Sequence, residues 1–244
     1  MRLLHINASP RGADSRTLQI SNTYLSALKE NNPALVVDEL DLDGMDLPDM
    51  GKKSAEAKYM AMGGMAVQDN GESHWDGITE LGKKFVSYDQ YLISTPMWNF
   101  SVPYKLKHYI DVIMQPGITF RFSETGVEGL VLGKKMVCVT TRGSDYSAEG
   151  PMGAYDFPSP YLRSIFGLAG IYDVSFINGT TFGLLTPRLT QMVLEKAKVG
   201  KRTYKLPLLQ LDYKKAAFRN QAASKHIANY KSKLIDSYHF AGLL

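Results

Sequence analysis

Three short segments hold the residue types that could do chemistry. The first is Ser9-Pro10-Arg11-Gly12-Ala13-Asp14-Ser15-Arg16-Thr17, which follows an apolar run and precedes a helical pattern. Its hydroxyls at 9, 15 and 17 bracket a helix start, where free N–H groups and the positive end of the helix dipole favour an anion. Arg11 and Arg16 add positive charge, and Ser15 or Asp14 equally suits a helix cap. The second segment is Thr95-Pro96-Met97-Trp98-Asn99-Phe100-Ser101-Val102-Pro103, stiffened by two prolines. Its large apolar side chains beside backbone amides suit a flat heteroaromatic ring; Trp98 and Phe100 also read as core or interface aromatics. The third is Thr140-Thr141-Arg142-Gly143-Ser144, where Gly143 permits close backbone approach and Arg142 or nearby amides could stabilise negative charge.

The same residues narrow the ligand. Neither G-x-x-x-x-G-K-[ST] nor G-x-G-x-x-G occurs, so the loop of a nucleoside triphosphatase and the tight dinucleotide turn are both missing. Hydroxyls and amides without a lysine suit a terminal phosphate monoester, which points to bound FMN rather than NAD. No H-E-x-x-H or Cys/His cluster is present, and His5, His74, His108, His226 and His239 show no ligand spacing. No metal is therefore expected. Cys138 lies in an apolar run and reads as a buried structural thiol; Arg142 follows it by only four residues, so the C-x5-R loop of a phosphatase is absent.

For these segments to converge, elements must carry them to one edge. Apolar runs at Leu3–Asn7, Ala34–Leu42, Gln90–Ser94, Lys135–Thr141 and Val174–Asn178 read as strands. Helical spacing follows Leu18 to Leu28, then Trp75–Phe85, Val102–Met114, Tyr161–Ala169 and about 187–200. Residues 52–70 are poorly patterned and read as a mobile helix or lid. Glu124-Thr125-Gly126 between Ile118–Phe122 and Gly129–Leu132 signals a hairpin. Alternating strands and helices predict an α/β fold, a doubly wound five-stranded parallel sheet with ligands beyond the carboxyl ends of its strands.

Charge divides the chain. Residues 1–195 carry 17 basic and 22 acidic side chains, whereas residues 196–244 carry 11 and 2. The basicity therefore belongs to the C-terminal segment, and a uniformly basic nucleic-acid binder is not expected. The reading is a domain over 1–200 and a basic extension over 201–244, helical from about Lys214 to Tyr238. The extension packs on its own subunit or a partner, or else touches an anionic membrane surface. With one cysteine, no apolar run near the roughly 20 residues of a span and no signal-peptide pattern, a cytoplasmic protein is expected.

Together, Ser9-Pro10-Arg11 with Ser15-Arg16-Thr17, Pro96-Met97-Trp98-Asn99-Phe100, the run from Gly117 to Leu130 and Thr141-Arg142-Gly143-Ser144 resemble the FMN-dependent NADH:quinone oxidoreductases, also called FMN-dependent NADH-azoreductases. The resemblance covers roughly residues 1–195. It implies a flavodoxin-like fold and a homodimer with two FMN sites near the subunit interface. Ser9, Ser15, Arg16 and Thr17 would hold the phosphate. Met97, Trp98, Asn99 and Phe100 would contact the isoalloxazine, and Thr141, Arg142, Gly143 and Ser144 its pyrimidine edge. Phe122 and Tyr146 match positions lining the family's substrate pocket. Members pass a hydride from NADH or NADPH through FMN to a quinone or azo compound. Trp98 stands where the family commonly has a tyrosine, and Ser144 where a second glycine is usual. A flavodoxin-like electron carrier, an FMN reductase releasing reduced flavin and a non-catalytic sensor are the alternatives.

Overall fold

In the computed structural model, residues 1–63, 74–124, 126–179 and 187–198 are described. Five strands, β1 (Arg2–Asn7), β2 (Val36–Asp41), β3 (Gln90–Pro96), β6 (Lys135–Thr141) and β7 (Asp173–Gly179), form a wholly parallel sheet in the order β2-β1-β3-β6-β7. Strand order reverses beside β1, so the loops after β1 and β3 flank the crevice where open parallel sheets bind ligands.

The period of two along each strand assigns the faces. Leu3, Leu92, Val139 and Ile177 pack on one side with Ile20, Tyr24 and Leu28 of α1 (Arg16–Asn31) and Leu189 and Val193 of α6 (Pro187–Lys198). Leu4, Ile6, Tyr91, Ile93 and Cys138 face the other side. There they meet Phe85 of α3 (His74–Val86), Leu106 and Tyr109 of α4 (Tyr104–Ile113), and Leu162 and Phe166 of α5 (Pro158–Leu168). Helices therefore cover both faces, as the alternation predicts. Cys138 is fully buried, and burial pushes its thiol up to about 12, in keeping with a structural role.

The expected strands and helices recur with no end shifted by more than three residues, and Lys135–Thr141 recurs unchanged. Residues 52–62 form a regular helix, α2 (Lys52–Met62), capped by Gly63; residues 64–70 of that segment lie outside the described residues, as does the 201–244 extension. The hairpin needs a correction. Its strands are β4 (Phe120–Ser123) and β5 (Gly126–Gly129), so the return strand begins earlier than 129. Gly126 itself opens the return strand at φ +132°, a conformation denied to other residues. Of the residues read as strand, Leu130 still donates its amide to the Thr119 carbonyl beside the hairpin, whereas Val131 leaves it and donates to the Ala169 carbonyl at the end of α5. A Cβ at Gly129 would collide with the backbone of Ala169 and Gly170, so glycine permits this attachment.

Candidate functional site

The floor of the site is built where β1 hands over to α1. Gly12 adopts φ +50° to turn the chain through a short 3-10 turn at Gly12–Asp14, and Ser15 then caps α1 by accepting the Leu18 amide at 3.1 Å. The Gln19 amide donates to the Ser15 carbonyl. That leaves the amides of Arg16 and Thr17, at the positive end of a 16-residue helix, for an external acceptor.

Hydroxyls line this floor in pairs, those of Ser9, Ser15 and Thr17 buried and that of Thr141 half-buried. Ser9 Oγ and Ser15 Oγ are 2.6 Å apart, and Thr17 Oγ1 is 2.6 Å from Thr141 Oγ1. Each pair owns two hydroxyl protons and uses one internally, so each retains one to donate elsewhere. The second pair also ties α1 to the end of β6. Arg11 and Arg16 are exposed.

Beneath the floor runs a chain of polar groups that sequence spacing does not reveal. His5 Nε2 lies 2.7 Å from Ser94 Oγ, which lies 2.6 Å from Ser21 Oγ, and Ser21 donates to the Thr17 carbonyl at 3.0 Å. With the Ser21 proton committed to that carbonyl, Ser94 must donate to Ser21, and His5 must donate from Nε2 to Ser94. The direction of the chain fixes the imidazole tautomer. Burial pulls His5 down to about 4.

Above the floor, the segment after β3 forms a tight turn. Trp98 and Ser101 exchange backbone hydrogen bonds at 2.9 and 2.8 Å, while Asn99 and Phe100 take φ +48° and +65°. Two consecutive left-handed residues match a type I′ turn. Asparagine tolerates this region, but a bulky residue there is strained, a feature that collects at ligand-binding sites. The turn holds Trp98 at 43% and Phe100 at 40% exposure. Met97 donates its amide to the Thr141 carbonyl at 2.9 Å, fastening this loop to the third. A small groove beside it is lined by Ala8, Pro10, Leu42, Asp43, Trp98 and Tyr104, among others.

Arg142 is used differently from the expectation for a ring-facing cation. It is only 5% exposed, and three of its five donors are engaged. Nη1 pairs with Asp156 Oδ2 at 2.9 Å, Nη2 donates to Ser159 Oγ at 2.7 Å and Nε to Thr140 Oγ1 at 3.1 Å. Its amide donates to the Gly179 carbonyl. The guanidinium therefore acts chiefly as internal scaffold. Gly143 is exposed, and a Cβ there would meet nothing within 4 Å. Ser144 is half-buried beside it.

Tyr146 is buried, with its ring edge-on to Phe100 at 6.4 Å. Phe122 stands apart: its ring packs edge-on to Phe120 at 5.7 Å on the hairpin, and no described contact joins it to the three loops. Sequence reasoning missed Tyr155, whose ring lies 5.2 Å from Phe100, and its neighbour Asp156. The Asp156-x-x-Ser159 spacing before a proline-rich helix start was the available signal, since Asp156 Oδ1 accepts the Ser159 amide. Among the described residues, no group of three or more His, Cys, Asp or Glu is arranged to hold a metal, and no helix is long and apolar enough to cross a membrane.

Residues 1–198 match the model of a family with a flavodoxin-like fold. The chain is 39% identical over 177 residues to FMN-dependent NADH:quinone oxidoreductase 2 of Pseudomonas syringae pv. tomato, covering 72% of this chain and 85% of that one. Against the FMN-dependent NADH:quinone oxidoreductase of Nitratidesulfovibrio vulgaris strain DP4 it is 37% identical over 172 residues, with 70% and 82% covered. Among solved structures it resembles an azoreductase from Bacillus anthracis str. Sterne, with TM-score 0.71, 25% identity and coverage of 81% and 97%. An FMN-dependent NADH-azoreductase from Bacillus anthracis str. Ames Ancestor in complex with FMN gives TM-score 0.70 at the same identity, covering 81% and 95%.

Proposed function

Because the chain belongs to the family of FMN-dependent NADH:quinone oxidoreductases, we propose that it is an FMN-dependent oxidoreductase. It passes a hydride from NADH or NADPH through FMN to a quinone or azo compound, two electrons per turnover in a ping-pong sequence. The observation that carries this reading is the pairing of a hydroxyl-and-amide floor at the start of α1 with exposed aromatics on the strained turn above it.

The residues present fit the cofactor. The spare protons of the Ser9–Ser15 and Thr17–Thr141 pairs and the amides of Arg16 and Thr17 match the acceptors of a terminal phosphate. Met97, Trp98, Asn99 and Phe100 offer amides and apolar surface to a tricyclic ring. The open space at Gly143 lets its edge approach the backbone of Thr141 to Ser144. FMN, when bound, supplies the hydride chemistry. The chain's own work is to anchor, orient and exclude water, which requires no side-chain nucleophile or metal. Arg142 belongs to this set through the loop it holds.

A homodimer forms part of the reading. Phe122 is exposed on a hairpin without described contacts to its own loops, so a second copy is the means of bringing it to a substrate pocket beside Tyr146. The buried free thiol of Cys138 agrees with a cytoplasmic location.

Incubation with FMN followed by gel filtration should yield a yellow protein that oxidises NADH or NADPH with menadione and with an azo dye. A preparation that stays colourless sinks the flavoenzyme reading. Release of reduced flavin before the acceptor reacts would make the protein an FMN reductase, and flavin that neither nicotinamide donor reduces would make it a carrier.

A further inference from the structure

The chain between β6 and α5 carries two aromatic side chains to the site and is closed by one ion pair. Arg142 at its start and Asp156 at its end lie fourteen residues apart and meet at 2.9 Å. Within it, the Met152 amide donates to the Asp145 carbonyl and the Gly150 amide to that of Ser147. Gly150 and Gly153 lie so close to Asp145 and to the Ser147 carbonyl that a Cβ at either would collide. This is a compact, self-packed loop whose ends are held together, a form often used in binding sites.

The fastening bears on the aromatics at three points. Tyr155 directly precedes Asp156, so the ion pair fixes the backbone from which its ring reaches Phe100 at 5.2 Å, tilted by 30°. The Arg142 guanidinium lies 6.0 Å from the Tyr146 ring, which meets Phe100 edge-on. Ser159 binds both members, donating its amide to Asp156 and accepting from Arg142, and so sets the start of α5 in the same cluster. Phe100 and Tyr155 remain partly exposed and together present two rings side by side.

We propose that Asp156 is a positioning residue that acts through Arg142 to hold Tyr155 against Phe100, and that this pair of rings makes the site favour two-ring acceptors over single-ring ones. The inference rests on the flavin-dependent reductase reading. A one-ring quinone covers one of the two aromatic faces, whereas a naphthoquinone or an azo-linked pair covers both and gains the second stacking contact.

The test uses the FMN-loaded full chain and its variants Tyr155→Leu, Asp156→Asn and Asp156→Glu. KM and kcat are measured for 1,4-benzoquinone and menadione, and the Kd of non-reducible 2-naphthol is read from the perturbation of flavin absorbance. Tyr155→Leu and Asp156→Asn should raise the menadione KM and the 2-naphthol Kd about tenfold. The ratio of the menadione KM to the benzoquinone KM should therefore rise at least about fivefold, and Asp156→Glu should recover part of the loss. Equal rises for both quinones, or an unchanged 2-naphthol Kd, overturn the proposal. If Asp156→Asn does not fold, Ser159→Ala, which removes one Arg142 contact, must shift the same ratio in the same direction, and an unmoved ratio overturns the role of the cluster. A wild-type chain that never takes up flavin overturns the underlying reading and this inference with it, whereas a yellow protein whose menadione-to-benzoquinone KM ratio is the same in wild type and variants overturns this inference alone.

Discussion

The floor and the rim of the site are made by different physics. At the floor, Ser9, Ser15 and Thr17 sit at the junction of a central strand and a long helix, buried and already hydrogen-bonded before any ligand arrives. At the rim, Trp98, Phe100 and Tyr155 are partly exposed, carried by a strained turn and by a loop closed with one ion pair. The floor inherits its rigidity from secondary structure. The rim has to be held by individual contacts, so single substitutions should alter it while leaving the sheet intact.

The largest expected break falls on the rim. Asp156→Ala strands the buried Arg142 charge, and losing one partner of such a pair costs about 3–5 kcal/mol. Urea unfolding of the purified variant measures it, and a loss below about 1 kcal/mol would mean that solvent reaches the guanidinium freely.

The floor should respond to pH instead. His5 is held near 4 by burial against an ordinary value of 6.5, so the folded state binds fewer protons than the unfolded chain between these values. Its contribution is fully present above pH 6.5 and is lost as pH falls toward 4, by about 1.4 kcal/mol per unit and about 3 kcal/mol in all. His5→Gln should flatten that slope in denaturation curves taken from pH 7 to 4. A slope identical to wild type would show that other groups produce it.

Affinity comes next. The double variant Ser9→Ala/Ser15→Ala removes one hydroxyl pair, and the FMN Kd, followed by flavin fluorescence, should rise about 10- to 100-fold, near 1–3 kcal/mol. Loss of the Ser15 cap should also reduce folding stability by about 1 kcal/mol. The smallest effect sharpens the comparison from the other side. Phe100→Asn relieves left-handed strain, so the stability of the flavin-free protein should stay within about 1 kcal/mol of wild type although a ring is lost. A larger loss by thermal melting would make Phe100 a structural residue.

The same division explains what could be read from sequence. The central strands were visible because Leu3–Ile6, Tyr91–Ile93 and Met136–Val139 are apolar runs with turn residues at their ends, and Ser15 advertised the start of α1 as a capping residue does. The three converging loops followed from strand alternation. What escaped depends on tertiary register or distance. His5 meets Ser94 only because β1 and β3 pair in parallel with His5 opposite Leu92, which brings two polar side chains onto the α1 face. Phenylalanine carries no turn signal, so the left-handed geometry at Phe100 could not be foreseen. Arg142 looked like a ligand-facing cation because its partner lies fourteen residues away in a loop without periodicity. The hairpin was misread because Gly126 both ends the turn and opens the next strand.

The placement of the two tryptophans has a spectroscopic consequence. Trp75 is 9% exposed and packed with Ile78, Val112 and Ala57, so it should emit toward the blue and resist aqueous quenchers. Trp98, at the rim, is 43% exposed and should emit toward the red. If the proposed site is right, FMN binding should quench that red component more strongly than the blue one, and an equal loss of both would place the flavin away from Trp98.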